Sequence, residues 1–304
     1  MKKNSISTKQ LITKAKKGNI NSIIRLAERY YFGFKKKGEK NKLDAKNINP
    51  KNPKEAVKWF KIGALKGDVH CIDFLGYCYH MGDGVEQDNF EARKFWERSA
   101  KKGSATALCN LGILTETSPG IPNYNKKALS YFNKNIKIKK NNPLRTHSLY
   151  AIARIHTNTN GGVKKDLKKM IKYFKLAVKG GNLRAAFELV NMFSSDMNTN
   201  SIKFEKYKDI KEDPVLYYKY NLFLSKKKLF FGDLNLAEIY INKYKEGKNI
   251  SDNKKKYEKY LKLAKKNMKN TAIIDQMGFP RDVTENYKKE LINKKLSDYS
   301  EANE

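Results

Sequence analysis

Two cysteines and two histidines, Cys71, Cys78, His70 and His80, fall within one stretch of 11 residues, and they are the first place to look for chemistry. Thiolate and imidazole ligands would make a zinc site, but compact zinc sites bring their thiols as Cys-x-x-Cys. Here the two cysteines are seven apart and share one helix face with Leu75, while the histidines point elsewhere. They read as small buried side chains, and no metal is expected. Nucleophilic catalysis finds no footing either. The four histidines (70, 80, 147, 156) lie on helices or helix ends, with no Gly-x-Ser-x-Gly elbow beside a strand. Gly82-Asp83-Gly84 and Gly161-Gly162 are loop glycines without the Gly-Lys-Ser/Thr of a phosphate loop. Asp88 and Asp166 read as helix caps, not general acids. The pairs Trp59-Phe60, Phe95-Trp96, Tyr131-Phe132 and Tyr173-Phe174 sit among basic residues like stacking platforms for bases. Their fixed place in the pattern assigns them instead to an inter-helix core. No catalytic residue and no cofactor is expected.

The elements that position these residues repeat. Gly67 and Gly103 are 36 residues apart, as are Leu75 and Leu111, Gly76 and Gly112, and Ala92 and Ala128. A period in this range marks stacked helical units. In the unit 67–103, Asp68 caps a first helix from Val69 to His80, with Cys71, Leu75 and Cys78 on its apolar stripe. Gly76 costs helix propensity, which close approach of a second helix would offset. Gly82 and Gly84 turn the chain, and Val85 plugs the loop. Asp88, with Glu91 three residues on, forms a capping box for a second helix that buries Phe90, Ala92, Phe95, Trp96 and Ala100. Gly103 ends it and Ser104 caps the next. The same glycine-then-cap junction recurs at Gly18-Asn19, Gly67-Asp68, Gly181-Asn182 and Gly232-Asp233.

The run Cys71, Leu75-Gly76, Tyr79, Gly82, Gly84-Val85, Asp88, Ala92, Phe95-Trp96, Ala100 and Gly103 resembles the Sel1-like repeat, a relative of the tetratricopeptide (TPR) repeat. Cys71 stands where that family usually has alanine. The resemblance implies an all-α fold, a right-handed TPR-like α-α superhelix of helix–loop–helix units of about 36 residues, that binds other proteins and carries no catalytic residues. Capping residues 1–18 precede an array over 19–267 of five to six degenerate units, the best being 67–103, 104–142 and 143–181. Insertions are expected at 34–52 and 194–213, one long helix from Pro214 to Phe231, and capping helices with a tail at 268–304.

The 39% hydrophobic content suffices for a core between helix layers. No apolar run approaches membrane-spanning length. The amino terminus has no apolar signal segment, and three unpaired cysteines suit a reducing, cytoplasmic setting. Net charge is +33, which points to nucleic acid or another polyanion. Yet only eight of the 64 basic residues are arginine, whose fork suits base and phosphate recognition. The first-helix segments 20–32, 69–80, 104–116, 144–156, 182–193 and 233–244 sum to zero charge, so the excess lies on second helices, insertions and tails.

In TPR-like solenoids the first helices line the concave face. The resemblance therefore implies a neutral groove through His70, Asp73, Tyr77, His80, Thr106, Cys109, Ile113, Glu116, Arg184, Phe187 and Asn191. That mix of aromatic, apolar and small polar residues suits protein recognition. The expected role is a scaffold or adaptor holding one or more proteins or peptides. The alternative is a basic accessory protein that binds polyanions weakly and salt-sensitively through its lysine-rich back.

Overall fold

The computed structural model describes residues 7–33, 51–118, 120–140, 142–157, 159–194, 207, 210–247, 249–267 and 293. Among them the chain forms thirteen helices and no strand: α1 (Thr8–Lys16), α2 (Ile20–Phe32), α3 (Pro53–Leu65), α4 (Val69–Met81), α5 (Asn89–Lys101), α6 (Ala105–Glu116), α7 (Tyr124–Lys137), α8 (Arg145–Ile155), α9 (Leu167–Lys179), α10 (Leu183–Phe193), α11 (Pro214–Lys226), α12 (Phe230–Lys245) and α13 (Ile250–Asn267). After the single α1 they alternate as first and second helices of successive helix–loop–helix repeats. The chain divides into two compact units, one of residues 1–148 with 159–163, the other of 149–158 with 164–304. The expected insertion at 34–52 lies outside the described residues except for 51 and 52. So does most of 194–213, and the capping helices at 268–304 save residue 293.

In the first unit, three junctions between repeats are a left-handed glycine handing over to a polar cap. Gly18, Gly67 and Gly103 have φ of 85°, 82° and 88°. Asn19, Asp68 and Ser104 then accept from the backbone N–H three residues on, at 2.9, 2.8 and 3.0 Å. Each such bond satisfies one of the orphan donors at a helix start. Asn52 caps α3 in the same way, with Pro53 in its first turn where a missing N–H costs nothing. Asp88 caps α5 by accepting from Phe90 and Glu91 N–H. The expected capping box does not close: Glu91 turns outward to Lys94 at 2.6 Å.

Between helices the close approaches are specific. A Cβ on Gly76 would stand 2.5 Å from the Trp96 indole nitrogen, and one on Gly112 would stand 2.5 Å from the Phe132 ring. Helices α5 and α7 thus each lay an aromatic ring in the notch that a glycine leaves in the helix before them. The Trp96 indole N–H donates to the Asp73 carbonyl at 3.2 Å. Ala92, Trp96, Ala107, Leu111 and Leu114 form the core between α5 and α6. A second cluster joins Ala27 of α2, Phe60 of α3, and Cys71, Leu75 and Cys78 of α4, with Val85 packed on its edge. Tyr79 stacks on Phe95 at 5.5 Å, and Ala100 packs against the α5–α6 core. Phe90 departs from expectation: it is 65% exposed, covered only by Lys94, whose ammonium lies 4.4 Å from the ring centre. At the start of α5 its side chain faces away from α4.

The second unit repeats the handover at Gly181 (φ 91°) and Asn182. The junction expected at Gly232-Asp233 lies elsewhere, and the long helix expected from Pro214 to Phe231 is broken. Helix α11 stops at Lys226, Lys228 takes the left-handed turn at φ 60°, and α12 begins at Phe230. Gly232 sits inside α12, where a Cβ would stand 2.6 Å from the Ser225 nitrogen. Asp233 is buried and accepts from Ser225 Oγ at 2.5 Å and Asn267 Nδ2 at 2.8 Å. It ties α12 to α11 and α13 instead of capping a helix.

Candidate protein-interaction face

The groove residues inferred from the sequence separate once they are placed. His70 and Tyr77 lie exposed on α4. The His70 Nε2 is 2.9 Å from Glu28 of α2, and this bond, acting against burial, raises the imidazole pKa above its usual value. His80 is half-buried, turned to Asn89 at 2.7 Å at the loop end of the unit. Thr106, Ile113 and Glu116 are half-buried on α6. Cys109 is a correction: it is fully buried, and burial pushes its thiol up to about 11. A position carried over from a regular repeat points inward here. Arg184, Phe187 and Asn191 are half-buried on α10 of the second unit, where the Phe187 ring lies 5.9 Å from Phe231.

Asp73 is also withdrawn from the surface. Its Oδ2 accepts from the Ser104 hydroxyl at 2.6 Å, so it braces the cap of α6. Its Oδ1 is buried without a hydrogen-bond partner. Burial raises the carboxyl pKa, and the Ser104 and Ser99 hydroxyls offset this in part. A raised acid pKa means the ionised form is a cost to the folded state above that pKa, and the cost fades as pH falls toward the unfolded value. Asp73→Asn, which keeps an oxygen for Ser104, is expected to raise Tm at pH 7 by about 2–4 °C, the equivalent of ~1 kcal/mol at this size. The gain over wild type should shrink as the pH falls toward 4. Thermal melts at both pH values test this, and an equal gain at both would contradict the buried-charge account.

What the structure does assemble is an aromatic pad across α2 and α4. The Tyr31 ring meets Phe32, Phe60, Phe74 and Tyr77 edge-on, with centres 4.9 to 6.4 Å apart. Phe74 stacks on Phe60 at 4.9 Å, and His70 covers its other side at 4.7 Å. The Tyr31 hydroxyl donates to Asp83 in the loop after α4, which fixes the ring, and burial together with that bond holds the hydroxyl protonated. Phe32 and Tyr77 stand at the rim, 57% and 40% exposed. Tyr31, Phe32 and Phe74 are missing from the groove inferred from the sequence, where Phe74 reads as part of the apolar stripe of the first helix. The run Tyr30-Tyr31-Phe32 at the end of α2 was the available signal.

The Sel1 repeat family model matches residues 50–68, 70–104, 105–134 and 146–182. Over those residues the chain is similar to the Sel1 repeat family. Solved structures of similar fold agree. A protective antigen of uropathogenic Escherichia coli displaying an SLR fold aligns with a TM-score of 0.63 at 17% identity, over 95% of this chain. The present chain spans just over half, 56%, of that protein. A Sel1 repeat protein from Oxalobacter formigenes aligns with a TM-score of 0.56 at 18% identity, covering 86% of this chain and 99% of the other. No curated protein sequence matches the chain. Among the described residues, no helix is long and apolar enough to cross a membrane.

Proposed function

We propose that the protein is a non-catalytic scaffold that holds a partner protein or peptide against the α2–α4 face of its first unit. The observation that carries this reading is the aromatic pad. Rings held by one another and by Asp83 present apolar area that loses little freedom on contact, and such residues dominate binding energy at interfaces. The charge of this face suits it, since Glu28 and His70 answer each other within the pad's border. Thr106, Ile113 and Glu116 on α6 would extend the contact within the same unit. Arg184, Phe187 and Asn191 would form a separate contact on the second unit. The array over 19–267 would serve as the frame, in a reducing compartment where Cys71, Cys78 and Cys109 stay thiols.

A photo-crosslinking residue at Tyr77 is expected to trap a defined partner that Phe32→Ala with Tyr77→Ala loses by at least tenfold in affinity. Leu65→Ala, at a position 83% exposed on the second helix α3, should leave that partner bound. Loss in the Leu65 variant to the same degree, with all three proteins equally folded by circular dichroism, would refute the pad as the contact.

A further inference from the structure

Charge in this protein is sorted by helix type. The first helices α2, α4, α6, α8, α10 and α12 carry seven basic and six acidic residues. The second-type helices α1, α3, α5, α7, α9, α11 and α13 carry 28 basic and five acidic. A solvated surface needs charge but not segregation, and mixed signs would dissolve it equally well. Helices α7 and α9 contain no acidic residue at all.

The clearest case is α9. Lys168, Lys172, Lys175 and Lys179 recur at i, i+4, i+7 and i+11, so they form one exposed stripe about 16 Å long. None of the four is ion-paired among the described residues. Lys169, beside the stripe, is held by Asp166 at 3.1 Å. The opposite side of the helix, Met170, Phe174, Ala177 and Val178, is spent in the core. That last point separates two polyanions. A basic helix binds a bilayer by sinking its apolar side into it, and α9 has none to offer beyond Leu176, which is 39% exposed. A phosphate backbone asks only for spaced cations.

We propose that the α9 stripe binds the phosphate backbone of nucleic acid without reading its sequence. Lysines present single charges without the paired donors that recognise base edges, and no exposed ring stands in the stripe for a base to stack upon. Binding rests on counterion release, so it is strong at low salt and falls steeply as salt is added. This surface is on different helices from the aromatic pad, and each can fail without the other.

The test uses the full chain and fluorescence anisotropy with two labelled single-stranded oligonucleotides of equal length and unrelated sequence, over a salt series. Equal affinities are expected for the two, with a linear fall of log K against log salt. Lys168→Glu, Lys172→Glu, Lys175→Glu and Lys179→Glu together should weaken binding at least tenfold at low salt. The neutral set with Gln should lower the salt slope by up to about 0.7 per lysine removed. The Gln set also guards against unfolding by the Glu set, with circular dichroism on both. The Phe32→Ala, Tyr77→Ala protein should bind as wild type does. An unchanged slope in the Gln set, or a strong preference for one oligonucleotide, would overturn the proposal. So would binding to phosphatidylserine vesicles with none to oligonucleotides, which would make this a membrane-facing surface.

Discussion

Trp96→Ala is expected to cost the first unit about 3–5 kcal/mol, the largest loss available from one buried side chain here. Trp96 is buried, lies over Gly76 with no gap, and donates its indole N–H to the Asp73 carbonyl. Its removal empties a cavity between α4, α5 and α6 and leaves that carbonyl without its donor. Little can move in to fill the space, because the glycine opposite has no side chain to extend. Trp96→Phe should recover part of the loss by restoring ring volume without the hydrogen bond. Urea titration followed by circular dichroism reads both changes, and a loss for Trp96→Ala below about 1 kcal/mol would show that the notch is not a close-packed joint. In a linear array each unit contacts its neighbours alone. Hydrogen exchange should accordingly speed up in α4 to α6 and stay near wild type in α9 to α13.

Gly84→Ala is the second large effect, and it is best measured against Gly103→Ala. Both glycines have positive φ, 78° and 88°, so alanine at either pays the left-handed penalty of roughly 1–2 kcal/mol. They differ in what surrounds them. A Cβ at Gly103 meets nothing within 4 Å, whereas one at Gly84 would stand 2.4 Å from the carbonyl carbon and oxygen of Pro53. Backbone at the capped start of α3 cannot step aside as a flexible side chain would. Gly84→Ala should therefore cost roughly 3–4 kcal/mol, the conformational penalty plus overpacking, and Gly103→Ala only the former. Equal melting shifts for the two variants would mean that the loop after α4 yields freely and does not brace the preceding repeat.

Much of this fold was legible in the sequence because its signals are local. Glycine followed by a cap fixes where one helix stops and the next starts, and Gly76, Trp96 and their counterparts 36 residues on fix which helix meets which. The failures have local causes too. The turn at Lys228 carries no glycine and precedes the apolar run Leu229-Phe230-Phe231, so nothing in composition marked a break. Phe90 has the right type for a core position but sits in the first turn of α5, before the helix reaches its neighbour. Glu91 has the spacing of a capping box, yet Lys94 one turn on offers a charged partner. The face for partners was the least legible part. Tyr77 could be placed by its register in one repeat, but the pad also needs Tyr31, more than one repeat earlier, and Asp83 to hold that ring. Contacts between units depend on how helices lie side by side, which periodicity does not state. Cys109 shows the converse, a residue assigned outward by its register that the structure buries completely.

The seams between repeats have a property that bears on how such chains diverge. Arg98 reaches across to the Ala64 carbonyl at 2.7 Å, Asn125 Nδ2 donates to the Asn160 carbonyl at 3.0 Å, and the Lys126 N–H meets the Gly161 carbonyl at 3.1 Å. In each case the acceptor is main chain, present whatever side chain the position bears. A repeat joined this way makes few demands on its neighbour's identity and many on its shape. At these three joints copies can drift while the joint survives, whereas Glu28–His70, Tyr31–Asp83 and Ser104–Asp73 tie neighbouring repeats through their side chains. Identities of 17 and 18% beside a common fold are what such sequence-blind joints permit.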